Sequence, residues 1–260
     1  MLCHTLETVA RHTWETLRDS TRYGISQGEE TITDNLLLYL LRQNLPSIHV
    51  IKTPKDKEPR MGTDWEWWIG SRSKGFLRYA IQAKKLDYAT HRYLKLKHEV
   101  RTQFGKEDQE KVLKRYAATN SAIPLYALYN YVELADFNPY WKCQSSLAPD
   151  QFGFTVTPLH NIEEALATRG CRSFERLHSC SETIPVRCLA ICPGIVPSSS
   201  EKRLTRIAKL NLDKIKLYSF DDVSPLLSAD QRGLEAFPQS LYSSDLGLYP
   251  KHIAVAETDA

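Results

Sequence analysis

Residues Met61–Leu86 read Met-Gly-Thr-Asp-Trp-Glu-Trp-Trp-Ile-Gly-Ser-Arg-Ser-Lys-Gly-Phe-Leu-Arg-Tyr-Ala-Ile-Gln-Ala-Lys-Lys-Leu. Aromatic and β-branched residues fill two arms, and Gly70, Ser71, Ser73 and Gly75 mark a tight polar connection, so the stretch predicts a β-hairpin. Side chains alternate across a strand, which places Asp64 and Glu66 on one face and Trp65 and Trp67 on the other. On the return arm Gln82 and Lys84 share a face, with Ile81 and Ala83 opposite. A turn about Arg72–Ser73 sets position 64 across from position 82, within one residue. Opposed side chains on one face have Cβ atoms roughly 5 Å apart. A carboxylate, an amide oxygen and an ammonium then converge at one end of a sheet, a set suited to a divalent cation and a phosphate.

Working outward, Thr5 to Asp19 carries Leu6, Val9, Ala10, Trp14 and Leu17 near helical spacing, and Gly24 ends that region. Ser26-Gln27-Gly28-Glu29 has the form of a capping box, and a second helix runs to about Arg42 with Ile32, Leu36, Leu37, Leu40 and Leu41 as its apolar stripe. Ser47 to Thr53 predicts a short strand closed by Pro54. Beyond the hairpin come a helix from Lys106 to Ala118 and an aromatic strand from Leu125 to Val132. The order helix, three strands, helix, strand predicts an α/β sandwich. Further on, Phe152 to Thr157 reads as a strand, Asn161 to Thr168 as a helix and Val186 to Cys192 as a strand. Pro193 to Ser200 then reads as a linker, and the tail from Asp221 gives no clear pattern. Residues 1–140 are read as the core, and 141–260 as a C-terminal α+β extension.

Net charge is +3 over 260 residues, but it is unevenly spread. Between Lys84 and Arg115 ten basic residues face five acidic ones, a surplus of five, which leaves −2 for the remainder. The positive charge follows directly on the Asp64/Gln82/Lys84 set and favours a polyanionic partner. Lys85, Arg92, Lys95, Lys97 and Arg101 are its candidate contacts. No apolar run approaches the roughly 20 residues of a membrane helix. With no apolar leader, the six cysteines are expected as reduced thiols in a cytoplasm.

Gly-Glu-Glu-Thr-Ile-Thr-Asp (28–34), Asp-Trp-Glu-Trp-Trp (64–68) and Gln-Ala-Lys (82–84) together resemble the PD-(D/E)XK, or restriction-endonuclease-like, nuclease superfamily, and more narrowly one bacterial group within it. The resemblance covers about Gly24 to Val132. It implies a core of helix, three-strand meander, helix and strand. It further implies that Asp64 is the metal-binding aspartate, Lys84 the catalytic lysine, and Glu30 a first-helix glutamate that touches the metal through water. Gln82 stands where the third strand usually carries Asp or Glu; the Asp…Gln-x-Lys pattern also resembles Mrr-type restriction endonucleases, where Gln can replace the second acid. The amide supplies a neutral oxygen, so metal binding is expected to be weaker than with two acids.

The residues carry the same chemistry without the family. Asp64, the Gln82 oxygen and the Ala83 carbonyl form an all-oxygen set for Mg, with Mn as a substitute. Lys84 can orient a water and stabilise the anion that develops during phosphodiester hydrolysis. Glu66 is a supporting candidate on the same face. Glu29 and Glu30 also have a simpler explanation, since acids in a first helical turn gain roughly 0.3–1 kcal/mol from the dipole. Trp65 and Trp67 are expected to pack on the helix-facing side of the sheet, with Trp68 on the other. Tyr88 and Tyr93, read on a helix among the basic residues, either pack or contact nucleic acid. Cys171, Cys180, Cys188 and Cys192, near His178, lack the short paired knuckles of structural zinc sites, and Cys188 and Cys192 fit one strand face as small apolar residues. The expectation is a metal-dependent DNA endonuclease of bacterial or phage defence, acting alone, as a homodimer or with a partner protein. The alternatives are a catalytically silent nuclease fold that binds nucleic acid or protein, and a nuclease directed at RNA.

Overall fold

A computed structural model describes residues 2–45, 48–52, 61–102, 105–133, 136–143, 145–190, 216–228, 241 and 249–258. The elements are α1 (Leu2–Tyr23), α2 (Glu29–Arg42), β1 (Ile48–Lys52), β2 (Met61–Ser71), β3 (Gly75–Lys85), β4 (Glu99–Thr102), β5 (Gly105–Asp108), α3 (Gln109–Thr119) and β6 (Ile123–Tyr129). Then follow β7 (Phe154–Pro158), α4 (Leu159–Ala167), α5 (Phe174–His178), β8 (Ile184–Pro185), α6 (Phe220–Ser228) and β9 (Tyr249–Glu257). Short 3-10 turns occupy Asn138–Tyr140, Pro149–Gly153 and Val186–Leu189. The protein is mixed α/β, with a seven-stranded sheet in the order β1-β9-β2-β3-β6-β7-β8 and a separate β4-β5 ribbon. Two compact units share the chain: residues 1–36, 83–97 and 126–210 form the first, and residues 37–82, 98–125 and 211–260 the second. Both draw on segments from either side of position 140.

The second unit holds the hairpin. β2 and β3 pair antiparallel from Trp65↔Ile81 to Ser71↔Gly75, the register expected from the turn. Gly75 takes φ +85°, which closes the three-residue turn, and at Gly70 a Cβ would stand 2.1 Å from the Gly75 carbonyl oxygen. Trp65, Trp67 and Trp68 are all buried, so β2 is covered on both faces. Trp68 is a core residue, with its ring edge-on to Tyr218 at 4.7 Å. The α3 helix packs over the Glu66/Trp68 face through Tyr116.

The meander expected from the sequence is interrupted. Instead of pairing with β2, β1 pairs antiparallel with β9, which lies parallel to β2 on its other side. Ile253-Ala254-Val255-Ala256 are all buried. An uninterrupted apolar run suits a strand with neighbours on both edges and cover on both faces, and the interior of the sheet supplies that. Arg72 Nε bonds Glu257 Oε2 at 2.9 Å and fastens the end of β9 to the hairpin turn. Lys106–Asp108, read as the start of a helix, instead belong to β5, and α3 begins after them.

In the first unit α1 is longer than its apolar pattern, with Leu2, Leu6, Val9, Ala10 and Leu17 buried. The expected strand from Val186 is a 3-10 turn; only Ile184–Pro185 pair with β7. Pro185 has no N–H to continue the ladder, and the chain turns so that Arg187 reaches Glu7 of α1 at 2.6 Å. Cys188 therefore sits in a turn, and Cys192 lies outside the described residues. Residues 87–98 form turns, not a helix. Tyr93 is fully buried there and donates to Asn130 Oδ1 at 2.6 Å, so it is unable to meet nucleic acid. Tyr88 stacks on Tyr131 with centroids 5.6 Å apart.

Candidate active site

The β2/β3 register carried one residue past Trp65↔Ile81 opposes Asp64 and Gln82. The contact is direct: Gln82 Nε2 donates to Asp64 Oδ2. Thr63 Oγ1 donates to the Ile81 carbonyl at 2.6 Å and holds this end of the hairpin together. Gln82 is buried and Asp64 half-buried, so the carboxylate stays within reach of solvent while the amide is fixed behind it. A half-turn of the Gln82 amide exchanges donor for acceptor and sets its oxygen beside the Asp64 carboxylate. The two donors are then both hard oxygen, which fits Mg or Mn. The set contains one acid; among the described residues no group of three or more His, Cys, Asp or Glu gathers as a metal nest.

Two residues further along β3, within the first unit, Lys84 is 2 % exposed with its Nζ 3.9 Å from Glu29 Oε2. An ammonium so deeply placed requires a compensating charge, and Glu29 supplies one. The other Glu29 oxygen accepts the Lys85 backbone N–H at 3.1 Å. Lys85 Nζ donates to the Gln27 carbonyl at 2.6 Å, so this lysine braces the start of α2. Thr33 adds a further tie, with its hydroxyl 2.9 Å from that of Tyr129. The start of α2 is thus laced to the end of β3 through Glu29 and Gln27, and to β6 through Thr33. Strand alternation sets Gln82 and Lys84 on one face and the buried Ala83 on the other.

Glu29 is an α2 acid beside Lys84, and the Glu30 side chain is exposed. The helix begins at Glu29, so the expected capping box, which needs Glu29 one turn inside a helix capped by Ser26, does not form. Glu29 lies seven and eleven residues before Leu36 and Leu40, which puts it on the same side of the helix as those buried leucines. Glu66 is fully buried and committed to structure. It accepts from Arg78 Nε at 2.7 Å, Tyr116 Oη at 2.8 Å and Trp68 Nε1 at 3.1 Å. Arg78 in turn donates to the Asn120 and Leu241 carbonyls, each at 3.0 Å. This network escaped sequence reading, although opposite charges at 66 and 78 on one face of a hairpin were a usable signal.

Of the basic residues, Lys95 and Lys97 are exposed in the 87–98 loop, Arg92 is half-buried, and Arg101 is exposed on β4. Lys85 is turned to the Gln27 carbonyl just before α2. Among the described residues no helix is long and apolar enough to cross a membrane.

The chain belongs to a family of unknown function, DUF6615, whose model matches residues 2–245. No curated protein and no solved structure matches the chain.

Proposed function

We propose that the protein is a metal-dependent nuclease with a restriction-endonuclease-like core, acting on DNA in preference to RNA. The observation that carries this reading is the Asp64–Gln82 contact, with Lys84 next along the same face of β3. The order α2, β1, β2, β3, α3, β6 supports the core, with β9 as a strand added between β1 and β2. Asp64 and Gln82 would hold Mg or Mn. Such an ion, when bound, lowers the pKa of water and offsets charge that develops on phosphate. Lys84, 2 % exposed, would meet the attacking water and the phosphoryl oxygens once its end of β3 opens to solvent, and would there offset the charge they gain. Glu29 stands beside Lys84, its Oε2 3.9 Å from the Nζ. Lys95, Lys97 and Arg101, with Arg92, offer positive charge to a nucleic-acid backbone. By analogy alone the setting is cytoplasmic defence of a bacterial genome, with a homodimer or partner protein as the assembly.

A second reading, a silent nuclease fold that binds nucleic acid or protein, draws on Gln82, whose amide is neutral and donates to Asp64. Incubation with plasmid DNA and Mg or Mn separates the two. Cleavage is expected, with Lys84→Ala slowing it by about 10²–10³-fold, the cost of removing one stabilising donor. Cleavage unchanged in both Lys84→Ala and Asp64→Asn rejects the site. Binding of DNA with no cleavage by the wild type selects the silent reading. RNA offered alongside DNA decides the substrate.

A further inference from the structure

Away from that site, two cysteines distant in sequence meet in the first unit. Cys143 lies just after the Asn138–Tyr140 turn and Cys188 within the Val186–Leu189 turn, and their sulfurs are 3.4 Å apart. Arg187 Nη2 stands 3.4 Å from Cys143 Sγ, and the Ser145 hydroxyl 3.2 Å from it. Arg187 also donates to Ser145 Oγ. The guanidinium is fixed from behind by Glu7 at 2.6 Å and lies 5.3 Å from the centre of the Trp141 ring. Donors therefore converge on one sulfur. The Cys188 thiol first, then Ser145 and Arg187, pull the Cys143 pKa down to about 4, against the opposing effect of its partial burial. The thiolate is the reactive form of cysteine, and Cys143 is half-buried, so small molecules reach it.

We infer that Cys143 and Cys188 form a peroxide-reactive dithiol, with Cys143 as the attacking sulfur and Cys188 as the resolving one. The Cys143 thiolate attacks hydrogen peroxide and breaks its O–O bond; the sulfur becomes a sulfenic acid and hydroxide leaves. The Cys188 thiol then attacks that sulfur, an S–S bond forms, and its proton leaves with the sulfenic hydroxyl as water. The two sulfurs together lose two electrons, which the peroxide oxygens gain. Closing the bond draws the sulfurs together by about 1.4 Å, towards the 2.03–2.05 Å of a disulfide. The product ties Cys143 to the 186–189 turn.

The test uses the intact wild-type protein. Cys3, Cys171 and Cys180 are half-buried like Cys143 and serve as internal standards. Near pH 6, iodoacetamide is expected to alkylate Cys143 at least about tenfold faster than these three, because an ordinary thiol is almost wholly protonated there. Equimolar hydrogen peroxide is expected to yield, in a non-reducing peptide map, one cross-linked peptide joining Cys143 to Cys188 and two hydrogens lighter than its parts. In Cys188→Ser the sulfenic acid is expected to persist at Cys143, where dimedone traps it. Alkylation of Cys143 no faster than of the three standards, or peroxide treatment that leaves 143 and 188 unlinked in the wild type, overturns the proposal.

Discussion

Two carboxylates on one face of β2, two residues apart, meet different fates. Glu66 is fully buried under α3 and saturated by Arg78, Tyr116 and Trp68. Asp64, nearer the end of the hairpin, is half-buried and held by the amide of Gln82. Strand, face and functional group are the same; cover is what differs. A charge taken fully out of water costs several kcal/mol unless every lone pair finds a donor, so Glu66 has been built into the scaffold. A carboxylate still in reach of solvent can exchange partners, and exchange is what a binding site needs. One strand face thus carries a lock at one position and a candidate site at the next.

The sharpest way to break this contrast is to remove each acid in turn. Glu66→Ala leaves the Arg78 guanidinium buried without its carboxylate, and a loss of about 3–5 kcal/mol in unfolding free energy is expected. Asp64→Ala is expected to cost less than about 1 kcal/mol, since a partly exposed polar contact is worth little. Urea titrations of the two variants against wild type measure the difference. Equal losses would show that Asp64 is as structural as Glu66.

His178 poses the same question in the first unit. It is fully buried, stacked on Phe174 at 4.0 Å, with one ring nitrogen 2.9 Å from the Phe174 carbonyl and the other 2.9 Å from Thr155 Oγ1. Burial holds its pKa down at about 4, with Lys142 adding a smaller push in the same direction. The unfolded chain has the ordinary value of about 6.5, so it binds the proton more tightly than the native state. The stabilisation is therefore complete above about pH 6.5 and is lost as pH falls toward 4, with a slope of up to about 1.4 kcal/mol per pH unit. Urea unfolding at a series of pH values, with the His178 ring followed by NMR, tests this. Titration of that ring near 6.5 in the folded protein would place it among groups like Asp64, open to water.

The hairpin was legible because its signals are local: alternation over two arms, Gly70 and Gly75 bounding the turn, and a register that follows from where the turn lies. What escaped reading depends on pairing across long stretches of chain. β9 pairs parallel to β2 and antiparallel to β1, and nothing near Ile253–Ala256 announces either neighbour. Residues 143 and 188 meet only because two turns on either side of β7 do. The choice between Glu29 and Glu30 fell between these cases. The helix was legible, but Glu29 and Glu30 stand at the same spacing from different leucines of its apolar stripe, and spacing alone does not choose between them. A charged network such as Glu66–Arg78 sits in a strand that reads as apolar alternation, so its buried members look like surface residues until the covering helix is known.

The smallest expected effect tests the open end of the hairpin directly. Gln82→Glu places a second carboxylate beside Asp64, where the amide now donates to it. Without a cation the two acids repel, so the variant is expected to melt slightly below wild type at neutral pH. With Mg the repulsion becomes attraction to a shared ion, and a gain of about tenfold in affinity, roughly 1.4 kcal/mol, is expected for the added charge. Thermal melts with and without Mg should then show a larger upward shift for Gln82→Glu than for wild type. If Mg moves neither melt, the Asp64 end is a hydrogen-bonded hairpin terminus and the contrast with Glu66 is one of burial alone. If it moves both equally, the cation is held without help from position 82, and Asp64 has to find its second ligand elsewhere.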